Sequence, residues 1–388
     1  MQTDGAMMDE DSVSSLTPLT PPTSEDARLS WLRLLRSRRV GISTFYRLMQ
    51  ENETAERALE VLPEVARAAG VTDYAIAPLK DIENEFAAAR KAGARMICRG
   101  EADYPKELAN IADAPPLFWA IGDISLLKRP KIGIVGARNA SSLGERMARK
   151  LSEGLSQQGL IVVSGLARGI DAACHKAALE GGTIAVQAGG VDKIYPKENT
   201  ELFWEIGAKG LRISEDPIGV APQARHFPKR NRIISGLSIG LVVVEAAARS
   251  GTLITARNAL DQGREVMAVP GHPFDARATG SNMLIRDGAA LIRNVDDILE
   301  QVADALEEPM TVAEQAEPDE QSCTQNTIAE SADLHRQILE RLGPSPLAED
   351  QLIRDLAQPA HHVTAELVSL EVEGRIERAP GGYLMRVG

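Results

Sequence analysis

The chain has 388 residues, of which 44% are hydrophobic and 25% charged, so we expect a soluble protein of two or three domains. No apolar run reaches the roughly 20 residues that a membrane helix needs. The three cysteines (Cys98, Cys174 and Cys323) form no C-x-x-C pair, which predicts neither disulfides nor a zinc site and fits a reducing cytoplasm. The net charge of −12 would argue against a nucleic-acid ligand if it were spread evenly.

Acidic residues are concentrated in two parts of the chain. Residues 1–27 carry six and residues 294–335 carry twelve, and neither segment contains lysine or arginine. The rest holds 37 acidic and 43 basic residues, so it is positive, and the local field governs phosphate binding. Residues 1–26 are rich in Ser, Thr and Pro and predict a disordered arm without a secretory signal, and residues 306–331 predict an acidic linker.

Residues 27–79 show the apolar periodicity of short helices, with a break at Val40-Gly41. The sequence R-R-V-G-I-S-T-F-Y-R-L resembles a SAM-like or helix-hairpin-helix unit, in which a glycine lets two helices pack closely or lets backbone N–H groups meet a phosphate. A small helical bundle that only packs or mediates contacts is the alternative. A helix over 81–91 and a strand over 117–121 then lead into the next domain.

From residue 131 onward, apolar runs alternate with amphipathic runs. The apolar runs predict strands over 131–135, 160–164, 183–188, 211–214, 240–246 and 265–270. The other runs predict helices over 142–157, 169–180, 199–208, 230–236 and 252–262, followed by a helix over 295–305. Strands that are apolar throughout and separated by helices predict a Rossmann-like parallel sheet with both faces covered, and we assign residues 80–305 to this α/β domain.

Residues 332–388 form a separate small unit, with three predicted helices followed by two strands around a P-G-G turn. Three helices and a hairpin predict a winged-helix-like domain. Such domains often read a DNA groove, but the third helix carries several glutamates and few cations. A protein contact, a structural role and groove reading therefore all stay open.

Ligands of parallel α/β sheets bind outside the carboxyl ends of the strands, which draws attention to five loops. The first loop, V-G-A-R-N-A-S-S-L-G, is not G-x-G-x-x-G, and no acidic residue ends the second strand, so the sequence predicts no dinucleotide cofactor. Instead, Gly136 and Ala137 form a turn that presents Arg138 beside a helix N-terminus. The guanidinium fork and the free N–H groups suit a phosphate, with a solvated loop arginine as the alternative.

The second loop, S-G-L-A-R-G-I-D, follows the second strand of the predicted sheet. Its small residues Ser164 and Gly165 keep the turn tight, and Arg168 can reach a phosphate. Asp171 falls in the first turn of the next helix, where we expect a structural role as a cap.

The third loop, A-G-G-V-D-K-I-Y-P-K-E-N, follows the third strand. Gly189 and Gly190 permit a close approach of the backbone to a ligand. Lys193 and Lys197 can meet phosphates, and Tyr195 can stack on a base, with a core tyrosine as the alternative.

The fourth loop, R-H-F-P-K-R-N-R-I-I, lies in a stretch from 217 to 244 that has four cations and no acidic residue. A basic patch that contains an aromatic residue is the composition of a single-strand site, with charge for the backbone and rings for the bases. Three closely spaced cations would repel one another without an anionic partner. The candidate contacts in this loop are Phe227, Lys229, Arg230, Asn231 and Arg232.

The fifth loop, V-E-A-A-A-R-S-G-T-L-I-T-A, opens a helix with Ser250, Gly251 and Thr252, which can cradle a phosphate or simply cap the helix. Glu245 stands at the exit of the preceding strand. It can orient side chains of the fourth loop, or act as a general acid/base in glycosidic cleavage.

In this order the loops resemble those of the DNA-processing protein DprA (Smf) family. The match runs from about Tyr104 to about Ala290 and includes I-G-I-V-G-A-R-N-A-S-S-L-G, V-V-S-G-L-A-R-G-I-D, F-P-K-R-N-R-I-I-S-G-L-S and V-V-V-E-A-A-A-R-S-G-T-L-I-T-A. The N-terminal helices and the C-terminal unit match the family's longer members less specifically. The family usually has Ser or Thr where this chain has Ala137, which removes a hydroxyl contact to phosphate and keeps Arg138.

The resemblance implies a cytoplasmic, non-enzymatic protein without a cofactor. It further implies that the protein binds single-stranded DNA, forms a homodimer through the Rossmann-like domain, and loads the RecA recombinase during natural transformation. The DNA contacts implied by the matching motifs are Arg138, Lys197 and the run Lys229–Arg232. The implied pocket-shaping residues are Ser164, Gly165, Ser250 and Gly251.

Two other functions stay open. The fold also resembles LOG-type nucleotide phosphoribohydrolases, for which Glu245 would be the catalytic residue, but this chain lacks P-G-G-x-G-T-x-x-E. The second is an adaptor that acts through protein contacts alone. The sequence has no H-E-x-x-H, no G-x-S-x-G and no Walker A motif, so it predicts no catalytic residues, no metal site and no ATP hydrolysis.

Overall fold

The computed structural model describes residues 19–71 and 73–307, together with residues 338, 341–342, 347–348, 352, 367, 370, 376–379 and 383–386. The chain forms two units, Met1–Pro309 and Met310–Gly388. Within the described residues, no helix combines the length and the apolar character that a membrane span requires.

The first unit contains both helices and strands. Its helices are α1 (Glu25–Arg36), α2 (Ile42–Asn52), α3 (Ala55–Ala68), α4 (Leu79–Lys91), α5 (Lys106–Ala109), α6 (Ser142–Gln157), α7 (Ile170–Ala178), α8 (Thr200–Lys209), α9 (His226–Leu237), α10 (Gly251–Asp261), α11 (Thr279–Arg286), α12 (Val295–Gln301) and α13 (Ala303–Glu307). Its strands are β1 (Arg95–Cys98), β2 (Leu117–Gly122), β3 (Lys131–Val135), β4 (Ile161–Ser164), β5 (Thr183–Val186), β6 (Leu211–Ser214), β7 (Gly240–Val243), β8 (Glu265–Ala268) and β9 (Ala290–Leu291).

The N-terminal helices and the first two strands share one hydrophobic core. Helix α1 begins after Ser24, whose Oγ accepts a hydrogen bond from a backbone N–H three residues further on. Trp31 and Phe45 meet edge to face, with ring centroids 5.3 Å apart, and Trp119 of β2 belongs to the same cluster. Helix α1 therefore starts two residues inside the predicted disordered arm, and the boundary predicted near residue 79 lies within a single unit.

The described strands of the first unit form one sheet in the order β1-β2-β6-β5-β4-β3-β7-β8-β9. Strands β3 to β9 pair in parallel, which confirms the predicted Rossmann-like sheet. Strands β1 and β2 add to one edge in antiparallel orientation. The strand order reverses at β3, which lies between β4 and β7, and such a reversal opens a crevice outside the carboxyl ends of the strands.

Several strands are shorter than predicted at their carboxyl ends. Strands β5, β7 and β8 end at Val186, Val243 and Ala268, two or three residues before the predicted ends. Most of the residues that follow leave the sheet but remain buried, as Ala188 and Ala246 show, whereas Pro270 is exposed. Apolar character alone does not distinguish such a buried loop from a strand.

In the second unit, β11 (Ile376–Ala379) and β12 (Tyr383–Arg386) form an antiparallel hairpin, and β10 (Leu347–Ala348) pairs with β12. This hairpin confirms the two strands predicted around the P-G-G turn. The three helices predicted in this unit lie mostly outside the described residues.

A buried histidine fixes the loop after β4. The Nε2 atom of His175, on α7, accepts a hydrogen bond from Leu166 N at 3.3 Å. Its Nδ1 lies 2.7 Å from Thr183 Oγ1, which itself donates to Val162 O, so Nδ1 carries the proton. Burial lowers the pKa of His175 to about 3, with a further lowering by the charge of Arg230. The imidazole is therefore neutral at physiological pH.

Acid should destabilise the first unit through His175. Between about pH 6.5 and the folded-state pKa of about 3, the imidazole of His175 is protonated in the unfolded chain but not in the folded chain. The contribution of this group to the free energy of unfolding should fall by about 1.4 kcal/mol per pH unit in that window. Urea unfolding at several pH values, followed by tryptophan fluorescence, measures this slope.

The variant His175→Gln should lose that part of the slope. His272 is exposed, so His272→Gln is the matched control and should keep it. An unchanged slope in His175→Gln would assign the acid sensitivity to other groups.

Candidate functional site

A cavity of about 580 Å³, which we call the first cavity, lies at the crevice where the strand order reverses. Its walls come from the loops that leave β3 and β7 and from the N-terminal ends of α9 and α10. The predicted site residues that line it are Gly136, Ala137, Arg138, Phe227, Arg230, Asn231, Ser250, Gly251 and Thr252. The first, fourth and fifth of the predicted loops therefore meet at one place. This agrees with the rule that ligands of parallel α/β sheets bind outside the carboxyl ends of the strands, which we call the strand-exit rule.

One cation and two aromatic rings form a group where the first cavity adjoins a small hollow. The Arg138 guanidinium carbon lies 5.0 Å from the centroid of the Phe227 ring, and the Tyr195 ring lies 5.5 Å from that of Phe227. Arg138 and Tyr195 are exposed, and Arg138 forms no ion pair within the described part of the chain. An unpaired guanidinium beside two rings suits the backbone and the bases of a single strand.

Arg230 is a nearly buried part of the lining of the first cavity. Its side chain is buried, and Nη1 donates to the carbonyl oxygens of Gly165, at 2.6 Å, and of Val186. Burial lowers the pKa of Arg230 to about 10, against the opposing effect of the Asp171 carboxylate, so the group remains cationic. Arg230 therefore supports the floor of the cavity through Nη1 and adds a fixed positive charge, and its contact with DNA stays a prediction.

Lys229 and Arg232 are directed toward acidic residues and do not line the first cavity. Arg232 is 7% exposed and is paired with Glu215 and, at 3.3 Å, with Asp113. The Nζ atom of Lys229 lies 3.5 Å from a carboxylate oxygen of Glu215 and 3.8 Å from one of Asp216. The fourth loop is thus free of acid in sequence but not in space, and the predicted repulsion between its cations is relieved. Arg232 is corrected from a DNA contact to a structural ion pair.

The start of α9 explains this division of the fourth loop. Because the helix already includes Phe227, this residue, Asn231 and Ile234 share one face, which lines the cavity. Lys229 and Arg232, three residues apart, share another face. The sequence pattern predicted that the helix starts at residue 230, after an irregular loop. Such a loop could have directed all the cations toward one ligand, whereas the observed helix directs them to different faces.

The glycines of the second and third loops make room for protein atoms. A Cβ atom on Gly165 would overlap the guanidinium of Arg230. Gly189 and Gly190 are buried, and a Cβ atom on Gly189 would lie 2.8 Å from backbone atoms of the loop 220–222. Their predicted role as a close approach to a ligand is therefore wrong, because another loop of the same chain takes that space.

The remaining residues of these two loops are divided between the interior and the surface. Ser164 is buried, and its Oγ donates to Ile134 O at 2.6 Å. Arg168 is exposed, is paired with Glu198 at 3.4 Å, and lines a small hollow next to the first cavity. Lys197 is exposed and begins a 3₁₀ turn, without lining either space. Arg168 and Lys197 stay predicted contacts for a strand that extends beyond the first cavity.

Asp171 has a structural role, but not the predicted one of a cap, because the start of α7 has no side-chain cap hydrogen bond. Its carboxylate accepts hydrogen bonds from Gly165 N at 3.1 Å and Ala167 N at 3.3 Å, and so closes the second loop. Burial raises the pKa of Asp171, and the charge of Arg230 opposes that shift.

Glu245 contacts a different loop from the predicted one. Its carboxylate accepts hydrogen bonds from N, at 2.9 Å, and from Oγ of Ser141, the residue that caps α6. A Cβ atom on Gly144 would overlap this carboxylate. Glu245 lines a second cavity, between α6 and the loop after β8, and does not line the first. The predicted orienting role toward the fourth loop is therefore wrong, and Glu245 instead positions the start of α6.

The N-terminus of α10 forms part of the wall of the first cavity. Ser250 caps it by accepting a hydrogen bond from Thr252 N at 3.2 Å. The Oγ1 atom of Thr252 donates to Gly136 O at 3.2 Å, which ties the fifth loop to the first. The helix terminus adds partial positive charge on this side of the cavity.

Two arginines that line the first cavity were not predicted from the sequence. Arg249 is exposed and forms no ion pair with a described residue, and Arg277 is paired with Asp275 at 3.0 Å. Arg249 stands in the fifth loop, just before the cap of α10. Arg277 belongs to the loop after β8, which the strand-exit rule would have selected if it had been applied to the sixth predicted strand.

Comparison with known families accounts for most of the chain. The family described as "DprA-like N-terminal HHH domain" matches residues 25–88, and "DNA recombination-mediator protein A" matches residues 95–303. The family described as "DprA winged helix domain" matches residues 323–382. These matches confirm the predicted types of the N-terminal and C-terminal domains.

Individual relatives and solved structures agree with these families. The chain is 37% identical over 312 residues to protein Smf of Escherichia coli K12, which covers 79% of this chain and 81% of the relative. It is 46% identical over 220 residues to the DNA processing protein DprA of Bacillus subtilis 168. That match covers 56% of this chain and 74% of the relative. DNA processing protein A from Streptococcus pneumoniae gives a TM-score of 0.53 at 37% identity, with 68% of this chain and 98% of that chain covered. DNA processing protein A from Helicobacter pylori, solved for its single-stranded DNA binding mode, gives a TM-score of 0.51 at 27% identity. This match covers 55% of this chain and 96% of that chain.

Gly165→Ala should destabilise the first unit by about 2 kcal/mol, because the added methyl displaces the Arg230 guanidinium from two carbonyl groups. In an Arg230→Met background the same substitution should cost less, since the displaced group is absent. Gly251→Ala is the matched control, because nothing lies within 4 Å of an added Cβ there. Urea unfolding of the four variants measures the coupling, and purely additive costs would contradict the proposed support of the floor.

Proposed function

The chain belongs to the DNA recombination-mediator protein A family, and we propose that it binds single-stranded DNA in the first cavity and passes the strand to the RecA recombinase in natural transformation. The observation that carries the proposal is the group formed by Arg138, Phe227 and Tyr195 at the cavity. The Helicobacter pylori relative was solved for its single-stranded DNA binding mode, which supports this ligand class. RecA loading, protection of incoming DNA, a homodimer and a cytoplasmic location are further parts of the proposal.

The electrostatics of the first cavity favour an anionic ligand. Arg138, Arg249 and Arg277 line it from three different loops, and the nearly buried Arg230 belongs to the same lining. Asp171 is the acidic residue among the described lining, and its carboxylate is buried and hydrogen-bonded. Because phosphates repeat along the strand and every base has a flat face, such a site accepts any base sequence.

We infer that this protein binds and does not catalyse. Glu245, the candidate general acid/base, accepts hydrogen bonds from Ser141 and does not line the first cavity. Within the described residues, no three His, Cys, Asp or Glu side chains are placed to hold a metal ion. A phosphoribohydrolase would release free base from a nucleoside monophosphate and lose that activity in Glu245→Gln, which makes this alternative directly testable.

Arg138→Ala should weaken binding of single-stranded DNA and reduce its salt dependence, because a cation that binds a phosphate releases a counterion. The slope of log K against log salt should fall by about 0.7 for each phosphate that the protein no longer neutralises. Fluorescence anisotropy with a labelled oligothymidylate at several salt concentrations measures both effects.

Arg149→Ala is the control for Arg138→Ala. It removes the same charge from α6, where Arg149 is paired with Glu145, and should leave binding unchanged. If both variants bind as the wild type does, the first cavity is not the DNA site. If the wild-type protein itself fails to bind oligonucleotide, the result favours the alternative function of an adaptor that acts through protein contacts alone.

Ala137→Ser should tighten binding, because it restores the hydroxyl that the family usually has beside the arginine. One added hydrogen bond to phosphate corresponds to a roughly two- to tenfold gain in affinity. Ala137→Val adds bulk without a donor and is the matched control. Equal affinity of the serine and valine variants would show that the hydroxyl does not reach the strand.

A further inference from the structure

The second cavity, of about 640 Å³, opens at the carboxyl ends of β7 and β8. Leu143, Arg146 and Lys150 line it from α6, where spacings of three and four residues place them on one face. His272 lines it from the loop after β8. Arg146 and Lys150 are exposed, and neither forms an ion pair within the described residues.

The acidic residues of the second cavity are already engaged. The carboxylate of Glu245 accepts from Ser141, and that of Asp275 is paired with Arg277. Among its described lining, the second cavity therefore offers two unpaired cations, while each of its two carboxylates already has a hydrogen-bond or ion-pair partner. This charge distribution suits an anionic ligand.

An exposed aromatic ring stands beside the second cavity. Phe274 is 95% exposed, and its ring centroid lies 5.5 Å from that of His272. The loop that carries it is held in place, because the Asn282 side chain accepts from Gly271 N at 3.1 Å and donates to Gly271 O at 3.0 Å. A ring held in solvent next to unpaired cations has the composition of a single-strand surface.

One loop connects the two cavities. Arg277 lines the first cavity, and its ion-pair partner Asp275 lines the second. We propose that the second cavity and Phe274 form a further subsite for the same DNA strand, which leaves the first cavity past Arg277. Arg146 and Lys150 then contact its phosphates, and Phe274 stacks on a base. This inference rests on the proposed function, since it requires a strand in the first cavity.

The double variant Arg146→Ala/Lys150→Ala tests the phosphate contacts. Anisotropy titrations use oligothymidylates from about 4 to about 20 nucleotides, a range that spans the usual single-strand site sizes. The variant should match the wild type on the shortest strand and bind the longest more weakly, with a salt slope lower by about 1.4 for two phosphates. Arg149→Ala, on the same helix but outside the cavity lining, should match the wild type throughout.

The two proposals fail in different ways in this experiment. If Arg138→Ala abolishes binding at every length while the double variant binds the long strand normally, the second subsite is wrong and the first cavity stands. If Arg138→Ala binds normally as well, the proposed function fails.

Phe274 is tested by stacking. Phe274→Ala should weaken binding of the long strand by a factor of roughly five to a hundred and leave the shortest unaffected. Phe274→Trp, in a Trp204→Phe background that removes the exposed tryptophan, should show fluorescence quenching by the long strand only. Unchanged binding in Phe274→Ala overturns the inference, and an accompanying change in molecular mass by light scattering would assign the ring to a protein contact.

Discussion

The site depends on one buried guanidinium. Nη1 of Arg230 donates to the carbonyl oxygens of Gly165, just after β4, and of Val186, the last residue of β5. Carbonyl groups at strand ends need donors when they are buried, and here a side chain of α9 supplies one. A buried charge is tolerated only where fixed polar groups surround it, and Asp171 lies close enough to oppose the lowering of the pKa of Arg230. Arg230 thereby holds α9 against the strand ends that border the first cavity.

The acidic average of the chain has little bearing on this site, because tertiary structure decides which charges stay free. Glu215 pairs with Arg232, and Asp171 accepts from backbone N–H groups, so both nearby carboxylates already have partners within the protein. Arg138 and Arg249 line the same cavity without an ion pair to any described residue. Counting charges by segment therefore could not identify which cations stay free of an ion pair.

The fold was more predictable from the sequence than the directions of the side chains. Buried parallel strands are continuous apolar runs, so β3 to β8 were identified with errors mainly at their ends. Helix α9 was started too late because Arg225, its N-cap residue, makes no side-chain cap hydrogen bond, and the usual start signal is missing. The roles of Arg232 and Glu245 depend on partners 17 and 104 residues away, which no local pattern contains.

Glycines at strand ends have two uses, and the difference determines what kind of ligand fits. In a dinucleotide site they let the phosphates approach the backbone. Here Gly189, with a φ of 80°, lets the loop 220–222 approach, and Gly165 admits Arg230. The space for a backbone cradle at these two loops is thus taken, and a phosphate must be held mainly by exposed arginines and by the N-terminus of α10. Side chains at a cavity open to solvent do not enclose a small ligand, but they can follow a polymer that continues beyond it, which agrees with the proposed binding of a strand.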